Sequence, residues 1–528
     1  MLVVVATLPL LLARIGTLPL LDPDEAKHAQ IAREMLTAGR WIEPLVYGQP
    51  YHHKPSLLYL LVGLCYRVVG VSEIGARMVP AVAGLLAVAA TYLAASRKRV
   101  IDGLLAALLL LASPLFFAVA RFTNFDGLLT LVSLSAILVA ARWIEDPSGP
   151  AAPRRLVAFA ALAGLGVLVK GPAAAVLLIA PLLAVGFPAF RATPIRTLTL
   201  AALAFAVVVG AWLLPALRLH PDYVYDFLWV HNFQRYSVDA DMFHPEPFWY
   251  FLPVLLVTLL PWSLLVPPAL IAGWRRRAGD RLLVAYAVWV IAFFSASSGK
   301  LATYVLPAYP ALAVLVSTWL GELESEGRPR ARSWLTRAAA LVYLLLPPAV
   351  YFVVRHEEPG FERAALGLAT LPLVGIAALS SVRRLVFKTE RGAVTVLAAG
   401  MVATYAVVIA WFAPVIGEFT SDRDLVAELR RAGPPPDRVV VHKVRPFSFL
   451  FYSGWPIVYK VSEDEYRAAL TGPGRVYVLT KPSRLGTLVA IDPPLELREI
   501  AGNHRRLVLE RVDSPVLPRN AGEDSRLP

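Results

Sequence analysis

Asp22, Asp24 and Glu25 stand directly after the first apolar stretch of the chain. A carboxylate there can accept the proton of an attacking hydroxyl. It can equally cap a helix, taking up free backbone N–H groups at the positive end of the helix dipole. Both readings stand for this pair. Adjacent residues on a helix point in different directions, so at most one of Asp24 and Glu25 faces a given substrate. Further on, Tyr51-His52-His53-Lys54-Pro55 places two imidazoles and an ammonium before another apolar stretch. Lys54 can bind phosphate as a point charge or meet lipid headgroups. His53 can ligate zinc or a similar divalent metal. Further ligands would have to come from His231, His244 or Glu246, in a different loop.

Three short turns each set a charge tight against hydrocarbon: Asp126, accompanied by Arg121, then Lys170, then Lys300. One such charge often only snorkels. Three on one face point to a site, because ionisable groups at membrane depth are costly. Lys170-Gly171-Pro172 is too tight a turn for a loose tether. Ser297-Ser298-Gly299-Lys300-Leu301, followed by Tyr304 and Pro307, offers hydroxyls, backbone N–H groups and an ammonium to a phosphate. It lacks the spacing of a P-loop, and the chain carries no nucleophile elbow, H-E-x-x-H or dinucleotide fingerprint.

The elements that must position these groups are membrane helices. Of 528 residues, 57% are hydrophobic and 17% charged, too apolar for a soluble protein. A spanning helix needs roughly 20 apolar residues. About thirteen stretches qualify, near 2–20, 78–96, 101–120, 127–144, 156–170, 173–190, 197–217, 249–270, 282–296, 303–320, 336–354, 363–381 and 392–415. The net charge of +13 sits between the apolar stretches, which favours cytoplasmic anchoring over nucleic acid. Basic loops alternate along the chain: Arg97 to Arg99, Arg154 and Arg155, Arg191 and Arg196, Arg275 to Arg281, Arg328 to Arg332, Arg383 to Arg391. The positive-inside rule puts them in the cytoplasm. The loops with the chemical residues then face outward, as does the tail. The first stretch reads as a retained signal-anchor. Cys65 is the single cysteine, so no intrachain disulfide forms.

Residues 23–38 read as an amphipathic helix with Ala26, Ala29, Ile31, Met35 and Leu36 on one side. Residues 55–69 suit a helix along the membrane surface. After Glu418 the chain turns polar. A helix at 421–432 and strands at 438–444, 475–480 and 506–512 predict a small α/β domain. The expected organisation is a membrane domain over 1–417, with its catalytic loop at 21–77, a soluble extracytoplasmic domain over 418–512, and a disordered tail over 513–528.

Seven blocks in order resemble the bacterial polyprenyl-phosphate glycosyltransferases related to protein O-mannosyltransferases, a family that includes the lipid A aminoarabinose transferases. They are Asp24-Glu25-Ala26-Lys27-His28-Ala29 with Arg33 to Leu36; Gly48 to Pro55; Gly70 to Glu73 with Arg77; Leu168 to Pro172; Pro247 to Tyr250; Pro261-Trp262; and Ser297 to Leu301 with Tyr304 to Pro310. The resemblance implies a GT-C-like, polytopic α-helical membrane protein of the bacterial inner membrane. It implies inverting transfer of a sugar from a polyprenyl phosphate to a hydroxyl or phosphate of a glycan, lipid or protein acceptor. By match, Asp24 is the base, Lys54 the carrier-phosphate contact and Asp126 an acidic site residue. Arg121, Lys170, Lys300 and Tyr304 complete the phosphate-binding set. The family has an acidic residue where this chain has His53, so a divalent metal on His53 and His244 would sit in an altered site.

The chemistry agrees. A lipid phosphate leaves as a stable anion and needs no general acid. The reaction needs a base for the acceptor and cations for the phosphate. Two other classes compete: a lipid-linked sugar flippase or transporter, and an oligosaccharide polymerase or ligase using a diphosphate donor. Transporters commonly carry paired repeats and broken helices at the midplane; this chain shows neither, and its charges gather at one face.

Overall fold

The computed structural model describes residues 2–97, 99–234, 246–326, 390–412, 420–459, 462–489, 496–503 and 505–512, with single positions at 341 and 417. Expected spans near 336–354 and 363–381, the tail 513–528, and His244 lie outside the described residues. The chain divides into two compact units. One comprises Met1–Pro19 and His28–Ile416; the other joins Leu20–Lys27 to Gly417–Pro528.

The first unit is helical. Its elements begin with α1 (Leu2–Leu12), α2 (Asp24–Ala38), the short strands β1 (Leu45–Val46) and β2 (Gln49–Pro50), α3 (Leu57–Val69) and α4 (Glu73–Ala95). Then come α5 (Val100–Ala112), α6 (Pro114–Val119), α7 (Phe125–Glu145), α8 (Ala152–Lys170), α9 (Pro172–Ala192), α10 (Ile195–Leu219) and α11 (Pro221–Tyr225). Among the described residues, eight helices are long and apolar enough to cross a membrane, or nine if one bent pair counts as a crossing. That pair, Phe251–Thr258 and Ser263–Trp274, is bent by 113° at its break. Trp262, fully buried at the bend, donates its indole N–H to the Leu109 carbonyl at 2.9 Å.

The expected first span is helical only over Leu2–Leu12, followed by turns. The stretch near 101–120 breaks between α5 and α6 at Ser113, whose successor Pro114 has no N–H to continue the ladder. The amphipathic reading of α2 holds, with Ala26, Ala29, Ile31 and Met35 buried; on α3, Leu58, Tyr59, Val62 and Tyr66 are buried against protein.

Ion pairs mark one end of the bundle. Arg391 reaches Asp102 at 2.7 Å and Glu324 at 3.0 Å; Arg99 pairs with Asp102, Arg276 with Glu322, and Arg277 with Glu145. Each pair takes its arginine from one of the basic loops. Glu145 closes α7, a helix of 21 residues, and Asp126 lies in its first turn. At about 1.5 Å per residue, that length separates the two ends by about 30 Å, the hydrocarbon thickness of a bilayer.

The second unit carries a five-stranded sheet in the order β4-β3-β5-β7-β6. The strands are β3 (Arg438–Val441), β4 (Ile457–Val458), β5 (Val476–Thr480), β6 (Leu497–Gly502) and β7 (Leu507–Arg511). β3 runs parallel to β4 and β5, with helices Phe447–Ser453 and Glu463–Thr471 as the crossovers. β5, β7 and β6 are antiparallel neighbours. Alternation sends Val439, Val441, Tyr477 and Leu479 to one face, with Leu425, Leu429 and Phe449. Val440, Val476 and Val478 go to the other, with Leu470 and Leu488.

Candidate active site and family

Three groups predicted from three separate turns meet in the first unit. Asn124 caps α7 by accepting from the Gly127 N–H at 2.9 Å, which sets Asp126 in the first turn. α8 ends at Lys170, where Gly171 takes a positive φ of 97° that a side chain would resist. Lys170 donates to Asp126, both side chains 12% exposed. The same ammonium lies 4.4 Å from the centre of the Tyr304 ring. The result is a carboxylate–ammonium–phenol cluster at the end of the bundle opposite the arginine pairs.

Lys300 is buried and donates to the Ser297 and Glu246 carbonyls, at 2.6 and 2.7 Å. Arg121 is spent differently from expectation. Its guanidinium donates to the carbonyls of Leu10 and Leu11 at 2.7 and 2.9 Å and of Ala13 at 2.6 Å. Arg77 does the same for Ile15, Leu18 and Pro19. Arg121 thus covers carbonyls at the end of α1, and Arg77 those of the turns that follow it.

Lys54 sits on a braced loop. β1 and β2 form a hairpin whose turn residues, Tyr47 and Gly48, have φ of 58° and 71°, a two-residue turn with both central φ positive. Glu34 on α2 accepts from both turn N–H groups, at 3.1 and 2.9 Å. Past the hairpin, Tyr223 on α11, fully buried, donates its hydroxyl to the Lys54 carbonyl at 2.7 Å. The His52 ring lies between two carboxylates, Nδ1 2.7 Å from Asp226 and Nε2 3.3 Å from Glu43. Glu43 also lies 3.3 Å from His220. Sequence reasoning missed Glu43, Tyr223, His220 and Asp226. Glu43 lies only 9 residues from His52, but Asp226 is 174 away, and no local spacing signals the match. His53 stacks on Tyr51 with ring centres 4.6 Å apart. Among the described residues no group of three or more His, Cys, Asp or Glu could hold a metal ion. The other expected ligand, His244, lies outside the described residues.

The acidic segment belongs to the second unit. Glu25 is buried and accepts from the Leu21 N–H at 2.9 Å, so the capping role falls to it. Asp24 has a side chain 71% exposed and pairs with Lys27 at 2.6 Å. Asp22, 3% exposed at its side chain, is held by groups from the far end of the chain. Burial first, and the nearby Asp422 carboxylate second, push its pKa up to about 6, against the pull of Ser448, Arg506 and Arg505.

Residues 53–213 match the family described as dolichyl-phosphate-mannose-protein mannosyltransferase. The chain is 31% identical over 384 residues to an undecaprenyl phosphate-alpha-4-amino-4-deoxy-L-arabinose arabinosyl transferase of Aeromonas salmonicida, covering 69% of this chain and 68% of that one. A Pectobacterium carotovorum protein of the same name is 32% identical over 343 residues, 62% of this chain and 61% of that one. The fold superposes on ArnT from Cupriavidus metallidurans, solved bound to undecaprenyl phosphate, with a TM-score of 0.83 and 24% identity over 97% of this chain and 98% of that one. Fold and relatives together define a GT-C membrane enzyme of many spans. The chain belongs to the family of polyprenyl-phosphate glycosyltransferases that contains the undecaprenyl phosphate-aminoarabinose arabinosyl transferases. It moves a sugar from a polyprenyl-phosphate carrier to its acceptor.

Proposed function

We propose that the sugar is a 4-amino-4-deoxy-pentose carried on undecaprenyl phosphate, and that the acceptor is a phosphate or hydroxyl of lipid A on the outer face of the inner membrane. The observation that carries the reading is the Asp126–Lys170–Tyr304 cluster: two charges singled out on separate turns meet beside a phenol that follows the third. Relatives with this donor in their names support the choice of sugar. Asp24 serves as the base. The acceptor oxygen attacks the anomeric carbon and gives its proton to Asp24. The bond from that carbon to the phosphate oxygen breaks, and its electrons stay on the departing phosphate. Attack opposite the leaving group inverts the anomeric centre. Lys54 neutralises the growing phosphate charge, with Lys170 as a second cation and Lys300 shaping the turn beside Glu246. Arg121 fixes the end of α1.

The chain crosses the membrane thirteen times, with the arginine-rich loops inside and residues 21–77 and 418–512 outside. The arginine pairs at one end of α7 and the Asp126 cluster at the other favour this orientation. A reporter fused after Arg277 should read as cytoplasmic and one after Glu418 as external; an external Arg277 would reverse the whole arrangement. The donor is tested with purified protein, offering sugar on undecaprenyl monophosphate or diphosphate with lipid A as acceptor. Transfer from the monophosphate alone is expected. Transfer only from the diphosphate would move the protein to the polymerase and ligase class.

A further inference from the structure

Asp22 and Asp24 are two residues apart and live in opposite surroundings. Asp24 is 71% exposed and Asp22 3% at the side chain. The Asp22 carboxylate accepts from four donors. Ser448 gives its backbone N–H to Oδ1 at 2.8 Å and its hydroxyl to Oδ2 at 2.6 Å. Arg505 and Arg506 reach the same Oδ2 at 3.1 and 3.2 Å. A second carboxylate, Asp422, fully buried, lies 3.0 Å from the Ser448 hydroxyl and 3.2 Å from Arg506 Nε. Two carboxylates and two guanidiniums thus balance in charge. The backbone is tied as well. The Leu20 N–H donates to the Tyr452 hydroxyl at 2.7 Å, and the Asp22 N–H to the Thr420 carbonyl at 3.1 Å. Lys27, the partner of Asp24, lies 5.8 Å from the centre of the Phe447 ring.

Removing a carboxylate from water is costly, and a domain needing only a folded core has apolar residues for that purpose. What this arrangement supplies is direction. Ser448 opens no strand and adds nothing to the apolar faces of the sheet; its two donor groups are spent on the residue that enters α2. With φ and ψ fixed at residues 20–22, the first turn of α2 has one course, and so has the Cα–Cβ bond of Asp24.

We propose that Asp22 is a positioning residue, and that the sheet-bearing unit acts in catalysis by holding Asp22 through Ser448, Arg505 and Arg506 so that the Asp24 carboxylate is aimed. This deepens the reading of Asp24 as the base and rests on it. It gives the polar tail a part in the reaction of the membrane enzyme.

The test uses the full-length protein in phospholipid nanodiscs, with undecaprenyl-phosphate-linked 4-amino-4-deoxy-L-arabinose as donor and lipid A as acceptor. Asp22→Ala and Ser448→Ala should each lower kcat by about tenfold to a hundredfold while donor KM stays within about twofold, because a misplaced base costs rate rather than binding. Hydrogen exchange at residues 20–27 should quicken in both. Placed in an Asp24→Asn background, neither change should lower kcat further, since there is no base left to aim. A merely structural role would give additive losses there, and that result overturns the proposal. So does a wild-type kcat in Ser448→Ala with quickened exchange. Should Asp22→Ala not fold, Ser448→Ala, which deletes one hydroxyl, decides the matter alone. The parent reading fails separately: wild-type kcat in Asp24→Asn removes Asp24 as the base, whereas an inactive Asp24→Asn with a fully active Asp22→Ala removes the positioning role only.

Discussion

The loop that carries Lys54 and the segment that carries Asp24 are held by different means. Lys54 is braced mostly from nearby: a two-residue hairpin turn, Glu34 beneath it, and Glu43 against His52. Two distant groups then lock it, Tyr223 on the backbone and Asp226 on His52. The Asp24 segment has local contacts too, the Glu25 cap and the Asp24–Lys27 pair, but it is tied chiefly from far along the chain. Its anchors, Ser448, Arg505 and Arg506, lie 426 to 484 residues along the chain. A cation that meets a phosphate can tolerate some play, because Coulomb attraction falls off gently with distance. A base must lie within hydrogen-bond reach of one proton. The stricter task has the more distant anchors.

The comparison predicts a hierarchy of effects. The largest belongs to the acidic segment. Asp24→Asn should cost about 10² to 10⁴ in kcat, the usual share of general base help, with folded protein retained because Asn still suits a helix start. Glu25→Gln keeps the oxygen that accepts from Leu21 and should stay near wild type in a single-turnover assay. If the two outcomes exchange, the base is Glu25 and the contrast between exposed and capping carboxylates collapses.

Next comes the ion pair. Lys170→Met leaves Asp126 without its cation beside hydrocarbon. Loss of one partner from a well-buried pair costs about 3–5 kcal/mol, and 12% side-chain exposure here sets that as an upper range. Thermal unfolding in detergent should show the loss, and the double change to Asp126→Leu with Lys170→Met should recover part of it. No recovery would mean that the two residues do not act as a pair.

Smaller effects are expected in the Lys54 loop. Tyr223→Phe deletes one hydrogen bond to the Lys54 carbonyl, worth about 0.5–1.5 kcal/mol. Donor KM should rise about twofold to tenfold with kcat little changed, the reverse of the pattern predicted for Asp22. A fall in kcat alone would show that this loop, too, is placed for chemistry rather than binding.

The smallest effect is a matter of pH. Asp22 binds its proton more tightly in the folded protein, with a pKa near 6 against an ordinary 3.8. Its contribution to stability is therefore fully present below about 3.8 and lost as pH rises through about 6. Asp22→Asn has no such titration. The difference in Tm, variant minus wild type, should grow between pH 4 and pH 7. A constant difference would mean that the arginines, not burial, dominate that carboxyl.

The membrane class, the helical surface faces and the turns bearing Asp126, Lys170 and Lys300 were all legible, because each depends on a run of apolar residues or on a charge set against one. Strands β3 and β5 showed through their β-branched runs, and β7 through Leu507-Val508-Leu509. β4 and the alternating-poor β6 did not, since two residues and Leu-Arg-Glu-Ile-Ala-Gly give no periodicity. Arg121 was misjudged for a physical reason: an arginine beside hydrocarbon looks the same in sequence whether it awaits a phosphate or covers three carbonyls. The role of Asp22 was invisible because its partners lie beyond residue 420.

Arg77 and Arg121 also say something about how the protein is made. The carbonyls they cover, from Leu10 to Pro19, emerge from the ribosome well before either arginine; the separations are 58 to 62 residues for Arg77 and 108 to 111 for Arg121. Until then the end of α1 has bare acceptors at the membrane surface and must keep them in contact with water or with the insertion machinery. This segment is thus synthesised well before the groups that settle it. A nascent chain stalled before Arg77 should leave residues 13–19 open to protease, and one stalled after α7 should protect them.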